Sequence, residues 1–245
     1  MARHQFSDTV LDLNFYRDWL AHRQKARAKD KTRASRFVTI SREFGCEGFE
    51  IAEKLVARLS EETGTDWNLF TRSQIEQLIG NDKIAPEMIH EVSESPWSFK
   101  DWFVDALVPD YLQSPSTQVF EKMRKLILNL ADKGDCVILG AGSQVITQRL
   151  DPKKFFGAHI RVVASHLWRT RRMERLQKLG RGDAEQMLRE RQDSRDKFMA
   201  DFTNFHAADP SLYHLIFNNA RNEASIIAET VVAYLRIHGQ LDRED

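Results

Sequence analysis

Apolar positions along the chain switch repeatedly between two spacings. Phe37 to Ile40 is a short apolar run with β-branched members, whereas Ile51, Ala52, Leu55, Val56 and Leu59 recur every three or four residues. The first pattern predicts a buried strand and the second an amphipathic helix. The alternation continues with a strand over Trp67 to Phe70 and a helix over Arg72–Ile79. Val119, Phe120, Met123, Leu126, Ile127 and Leu130 then form a helical stripe that Gly134 ends. Cys136 to Leu139 is apolar throughout, as a parallel strand covered on both faces is. Gly140-Ala141-Gly142-Ser143 turns into a helix over Gln144–Gln148, and Ala158 to Ala164 is a further strand. From Ser165 two helices follow, divided at Gly180-Arg181-Gly182-Asp183 with Asp183 as the predicted N-cap of the second. A last strand at Leu215–Phe217 leads to a helix lined by Ile227, Val231, Tyr234 and Leu235, and Gln240–Asp245 is a polar tail. Strands alternating with helices predict an α/β domain with a parallel sheet of about five strands between helical layers.

Ahead of the first strand, Val10, Leu11, Leu13, Phe15, Tyr16, Trp19 and Leu20 make an irregular helical face, and residues 24–36 are basic and polar. Residues 1–35 are therefore expected to form an extension whose basic part is a linker or a solvated helix end. A docking arm for a partner and a helix packed on its own domain both fit, the second more simply.

The chemistry concentrates where the first strand meets its helix. Ser41 to Gly48 is a polar stretch with glycines at 45 and 48. Strand, glycine loop and helix together present backbone N–H groups and a positive helix end to a phosphate. The usual phosphate-loop signature is G-x-x-x-x-G-K-[ST]. In that register Arg42 and Glu47 stand at the two glycine positions, Gly48 at the lysine and Phe49 at the hydroxyl. A cradle is predicted; its usual charged chemistry is not. Cys46 in this loop, close to a helix N-terminus, raises the expectation of a depressed thiol pKa, against the plainer reading of an unreactive loop residue.

Composition narrows the setting. The 245 residues suit one large domain, and 36 basic residues balance 36 acidic ones, so no global field argues for nucleic acid. No apolar stretch reaches membrane-spanning length and no signal-peptide pattern is expected. Two cysteines, Cys46 and Cys136, give no metal-ligand spacing and fit a reducing compartment, with the cytoplasm as default. The eight histidines show no H-E-x-x-H spacing, and no metal site is expected.

Ile40, Ser41, Arg42, Glu43, Phe44, Gly45, Gly48, Glu50 and Ile51 match the pattern I-S-R-E-[YF]-G-S-G-G-R-E-I. Through it the chain resembles the cytidylate kinase-like family. Asp209-Pro210-Ser211-Leu212-Tyr213 is similar to that family's D-P-S-x-Y, and Asn218-Asn219 to its N-[ST]. The departures lie on the phosphate side: Cys46, Glu47 and Phe49 replace Ser, Gly and Arg, Thr71 replaces an acid, and Ala141 replaces an arginine. The resemblance implies a three-layer P-loop kinase fold over residues 36–238, with an acceptor-side helical insertion at 81–115 and a helical lid at 168–205. The insertion carries Trp97, Phe99, Trp102, Phe103 and Tyr111, which suit either a stacked base or a satellite core.

It further implies a nucleotide-binding phosphotransferase moving a phosphoryl group from ATP, with Mg²⁺, to a small acceptor such as CMP or dCMP. The implied phosphate- and nucleotide-binding residues are Ser41, Arg42, Gly45, Cys46, Glu47, Gly48, Phe49, Gly140, Gly142, Asp209 and Asn218. Arg172, Arg189 and Arg195, from the arginine-rich stretch 169–195, are the implied catalytic cations. The alternative is a degenerate kinase-like protein that binds a nucleotide or a protein partner without turnover. The partner expected is a small-molecule nucleotide, with neither membrane nor nucleic acid, and a homodimer stays open.

Overall fold

The computed structural model describes residues 13–29, 34–80 and 115–241. Five parallel strands form one sheet in the order β2-β3-β1-β4-β5: β1 Ser35–Arg42, β2 Asn68–Thr71, β3 Cys136–Leu139, β4 Phe155–Val163 and β5 Leu215–Asn218. The three-layer α/β architecture and the strand number are those that the periodicity predicts.

Side chains alternate across β1, and the alternation builds two cores. Val38 and Ile40, with Val137, Leu139, Ala158, Ile160 and Val162, meet α2 (Gly48–Thr63) and α8 (Ala224–Ile237) on one face. Phe37, with Phe70, Cys136 and Ile138, meets α3 (Arg72–Ile79) and α4 (Pro115–Lys133) on the other. Cys136–Leu139 is buried at every position, hence its uninterrupted apolar run. After β3 a five-residue helix, α5 (Ser143–Thr147), precedes β4, and α6 (His166–Gln177) and α7 (Arg181–Thr203) follow β4 as a helical pair. Met173, Ala184 and Leu188 make the small core of that pair, and Phe44 from the loop packs into it.

The ends of the chain correct two expectations. Helix α1 (Leu13–Lys29) packs on the domain, which is the simpler of the two readings: Trp19 is buried, its ring centre 5.0 Å from that of Phe70. Arg23 Nη1 donates to Asp135 Oδ2 at 2.6 Å and its Nε to the Lys133 carbonyl at 3.1 Å. Arg36, expected in a basic linker, is the second residue of β1; its Nε meets Asp135 Oδ1 at 2.6 Å and its Nη1 donates to the Gln240 carbonyl at 2.6 Å. Leu241, expected in the polar tail, is buried in the first core. One buried carboxylate thus draws Arg23 and Arg36 into the interior, while Lys25 stays exposed.

Two smaller corrections concern helix starts. Gly180, not Asp183, is the N-cap of α7, and Asp183 lies in its first turn, where its charge faces the positive helix end. Helix α2 begins at Gly48, the last residue of the expected glycine loop. The segment 81–114, with the aromatic cluster assigned to the insertion, lies outside the described residues.

Candidate phosphate-binding site

The loop 43–47 joins the C-terminal end of the central strand to the N-terminus of α2, where open parallel sheets bind ligands. It is neither helical nor collapsed. The Glu43 amide donates to the Val162 carbonyl (3.0 Å), and a turn closes from the Cys46 amide to the Glu43 carbonyl (3.2 Å). Gly45 holds φ +94°, and a Cβ there would stand 2.9 Å from Arg169 Cβ. This is the one loop position where a left-handed backbone and close approach together exclude a side chain. Phe49, at the hydroxyl position of the usual signature, packs against the first core instead of plugging the cradle.

The second glycine has another purpose. A Cβ on Gly48 would come within 2.8 Å of Arg42 Cδ and 3.1 Å of its Nε, and one on Gly140 would meet Arg42 Nη1 at 2.6 Å. The Arg42 side chain therefore crosses the first residue of α2 and ends over the turn after β3. The position that carries lysine in the usual loop is vacant of side chain because an arginine from the strand runs through that space.

The helical pair closes over the loop through hydrogen bonds. Arg169 Nη1 donates to the Phe44 carbonyl (3.1 Å), and its Nε lies 3.4 Å from Glu43 Oε2. Arg172 Nη1 donates to the Gly45 carbonyl (3.2 Å), and its Nε lies 3.4 Å from Glu47 Oε1. Arg195 Nη1 donates to the Arg42 carbonyl (3.2 Å), with its guanidinium 5.1 Å from the Phe44 ring centre. Gln192 Oε1 accepts from the Phe44 amide (2.9 Å). Leu188, Gln192 and Arg195 share one face of α7, and Arg189 projects from another, exposed. Burial and then Arg72 hold the Arg195 guanidinium below its ordinary pKa.

Cys46 is the clearest electrostatic correction. Burial and the Glu43 carboxylate push its thiol up to about 12, and Arg169, Arg172 and Arg195 offset only part of that. The helix terminus does not activate it, because desolvation outweighs the helix field.

Across the sheet, a second polar cluster surrounds one phenol. The Tyr213 hydroxyl donates to the Ala207 carbonyl (2.8 Å) and lies 3.3 Å from Ser41 Oγ; Gln144 Nε2 donates to it at 3.3 Å and Arg161 Nη1 at 3.4 Å.

A family model described as the cytidylate kinase-like family matches residues 37–221. The chain belongs to the cytidylate kinase-like family. No curated protein matches it. Among solved structures, an uncharacterized protein from Eubacterium ventriosum superposes with TM-score 0.62 at 13% identity, over 83% of this chain and 99% of that one. A shikimate kinase from Bacteroides thetaiotaomicron aligns with TM-score 0.44 at 12% identity, over 84% of this chain and 99% of the other. The first of these shows a shared fold; the second supports no conclusion. No helix among the described residues is long and apolar enough to cross a membrane.

Within the family's frame, the structure gathers Arg42, Gly45, Cys46, Glu47, Gly48, Gly140, Arg172 and Arg195 around the loop, turns Ser41 to Tyr213, and leaves five predicted residues elsewhere, Phe49 among them. Arg189 makes no contact with the loop. A Cβ on Gly142 would meet Met199 Sδ at 3.3 Å, so this glycine serves the packing of α7. Asp209 accepts from the Ser211 amide (2.9 Å) and caps a 3₁₀ turn, Pro210–Leu212. Asn218 accepts from the Ala220 amide (3.0 Å), and its neighbour reaches the loop: Asn219 Oδ1 accepts from the Glu47 amide (2.8 Å) and Nδ2 donates to Glu47 Oε2 (3.0 Å). Sequence reasoning does not single out Asn219, Arg169 or Gln192. Asn219 carries a signal as the second residue of the matched Asn-Asn pair, and Arg169 as the first of the arginine-rich stretch.

The donor set accepts an anion more readily than a protein-held metal. Arg42 and the first turn of α2 fit phosphate oxygens. For Mg²⁺ the fit fails: Phe49 has no oxygen, and Thr71 Oγ1 accepts from the Gln74 amide (3.3 Å) in a capping box that begins α3. Among the described residues no cluster of three His, Cys, Asp or Glu could hold a metal.

Proposed function

We propose that the loop binds the phosphates of ATP and that the chain transfers the terminal phosphoryl group to a small acceptor of the nucleoside monophosphate class, such as CMP or dCMP. The observation that supports this reading is the path of Arg42. It brings a guanidinium to the start of α2, across the vacant lysine position, from the strand rather than from the helix. A phosphoryl group in transfer needs its charge neutralised, and a preorganised guanidinium supplies that without reorganisation. Arg172 and Arg195 add cationic charge from the opposite side. In this reading α2 orients the phosphates through its amides, Arg42 neutralises them, and the α6–α7 pair excludes water.

A second reading, nucleotide binding without turnover, is favoured by one specific feature. Arg169, Arg172 and Arg195 are engaged with the loop's own carbonyls and with Glu43 and Glu47. A lid so committed must release those contacts before it can clamp a substrate. γ-Labelled ATP with a panel of nucleoside monophosphates separates the two. Transfer that Arg42→Gln lowers about tenfold or more supports the enzyme reading. ATP binding with no transfer to any member supports the second, and no ATP binding contradicts both.

A further inference from the structure

Arg161, near the C-terminal end of β4, is not used by the loop chemistry. It lies in β4 directly beside Ser41 of β1, in a run of Ile160, Val162 and Val163 where a charge is unexpected. It is 6% exposed. Among the described residues its polar and ring contacts are a single long hydrogen bond, Nη1 to the Tyr213 hydroxyl at 3.4 Å, and the Tyr213 ring, whose centre is 5.5 Å from Cζ. Among the described residues no carboxylate pairs with it, in contrast to Arg23 and Arg36, which share Asp135. A guanidinium has five N–H donors, and those of Arg161 without a protein partner are not sealed from solvent, so they are open to a ligand.

The neighbours of this guanidinium are neutral and polar. Ser41 Oγ and Gln144 Nε2 converge with it on the Tyr213 oxygen, each at 3.3 Å. Ser143, the residue before Gln144, has a buried hydroxyl without a hydrogen bond. Ser41 and Tyr213 are half-buried and form the open edge, at the C-terminal ends of β1 and β4. Position 141, across β1 from Arg161, has lost its arginine to Ala141, so β4 supplies the cation that the β3 turn lacks. Arg42 leaves β1 toward α2, on the other face of the sheet, so the two arginines address two different anions.

We infer that Arg161, with Ser41, Gln144 and Tyr213, binds the phosphate of the acceptor, a phosphomonoester, separately from the ATP phosphates at Arg42. This rests on the phosphotransferase reading above and names the acceptor's anionic group. An incoming phosphate gives Arg161 the charged partner that the protein does not.

The test uses inorganic phosphate as probe, titrated by calorimetry and thermal melting into the full chain already mixed with saturating ADP, for wild type, Arg161→Met and Arg161→Lys. Phosphate should bind and stabilise the wild type, bind Arg161→Lys several-fold less tightly, and bind Arg161→Met at least about tenfold less tightly, with ADP affinity within twofold throughout. Without phosphate, Arg161→Met should melt no lower than wild type, because an unmatched buried charge has been removed. A structural arginine would behave oppositely, and an Arg161→Met that is destabilised or fails to fold overturns the inference, as does equal phosphate affinity in wild type and Arg161→Lys. If wild type binds ADP while Arg161→Met binds phosphate as wild type does, or neither binds it, the inference falls and the phosphotransferase reading stands. If wild type binds neither ADP nor phosphate, both fall.

Discussion

At the scale of single residues, environment decides what a side chain does, and sequence position alone misleads. Cys46 sits where a helix terminus should activate a thiol, yet burial and Glu43 hold it near 12. Iodoacetamide at pH 8 should therefore modify the native protein far more slowly than the unfolded chain; equal rates would contradict the assignment. His159 shows the same desolvation with opposite charge. It is paired with Thr39 Oγ1 at 2.9 Å, and burial, then His214, lower its pKa to about 3. The folded state resists protonation that the unfolded state accepts below about 6.5, so stability is full above that pH and declines as pH falls toward 3. The slope from this group approaches about 1.4 kcal/mol per pH unit. Denaturant titrations from pH 7 to 4 should show a shallower acid limb in His159→Gln; an unchanged limb would contradict the neutral buried ring. The glycine pattern at 45 and 48 is legible in the sequence. That Gly48 makes room for Arg42 is not, because a side chain's path depends on the tertiary space around it.

At the scale of elements, the α6–α7 pair is legible as two arginine-bearing helices with a glycine break. Which arginines face the loop is not. The resemblance implies Arg172, Arg189 and Arg195 alike, whereas helical geometry turns Leu188, Gln192 and Arg195 inward and leaves Arg189 outside. Arg172→Ala and Arg195→Ala should each weaken ATP binding about tenfold, while Arg189→Ala should leave it within twofold, measured by calorimetry at fixed salt. An Arg189→Ala defect equal to that of Arg195→Ala would show that α7 is rotated from the orientation described. The last strand carries a similar one-residue lesson. Asn218 and Asn219 are indistinguishable by motif, and only the buried one, Asn219, reaches Glu47.

At the scale of the whole molecule, the periodicity of apolar positions reveals the five strands and most helices, since each is covered by a continuous core. It misses the ionic part of the chain ends' attachment, which adds to the apolar contacts of Trp19 and Leu241. Arg23 from α1 and Arg36 from β1 converge on Asp135, a residue 1% exposed, and Thr65 Oγ1 donates to the same carboxylate at 2.8 Å. Asp135→Asn would leave two buried guanidinium groups without a counter-charge and should cost about 3–5 kcal/mol in urea unfolding. A loss under about 1 kcal/mol would mean that water reaches the cluster. The domain so assembled sets Arg42 between Gly48 and Gly140, and the proposed chemistry depends above all on that placement. The direct measurement is calorimetric titration of Mg-ATP and of adenosine into wild type and Arg42→Gln. Wild type should bind ATP, Arg42→Gln should bind it at least about tenfold less tightly, and adenosine should not distinguish the two proteins. Equal ATP affinity in both proteins, or no binding by the wild type, would contradict that role for Arg42.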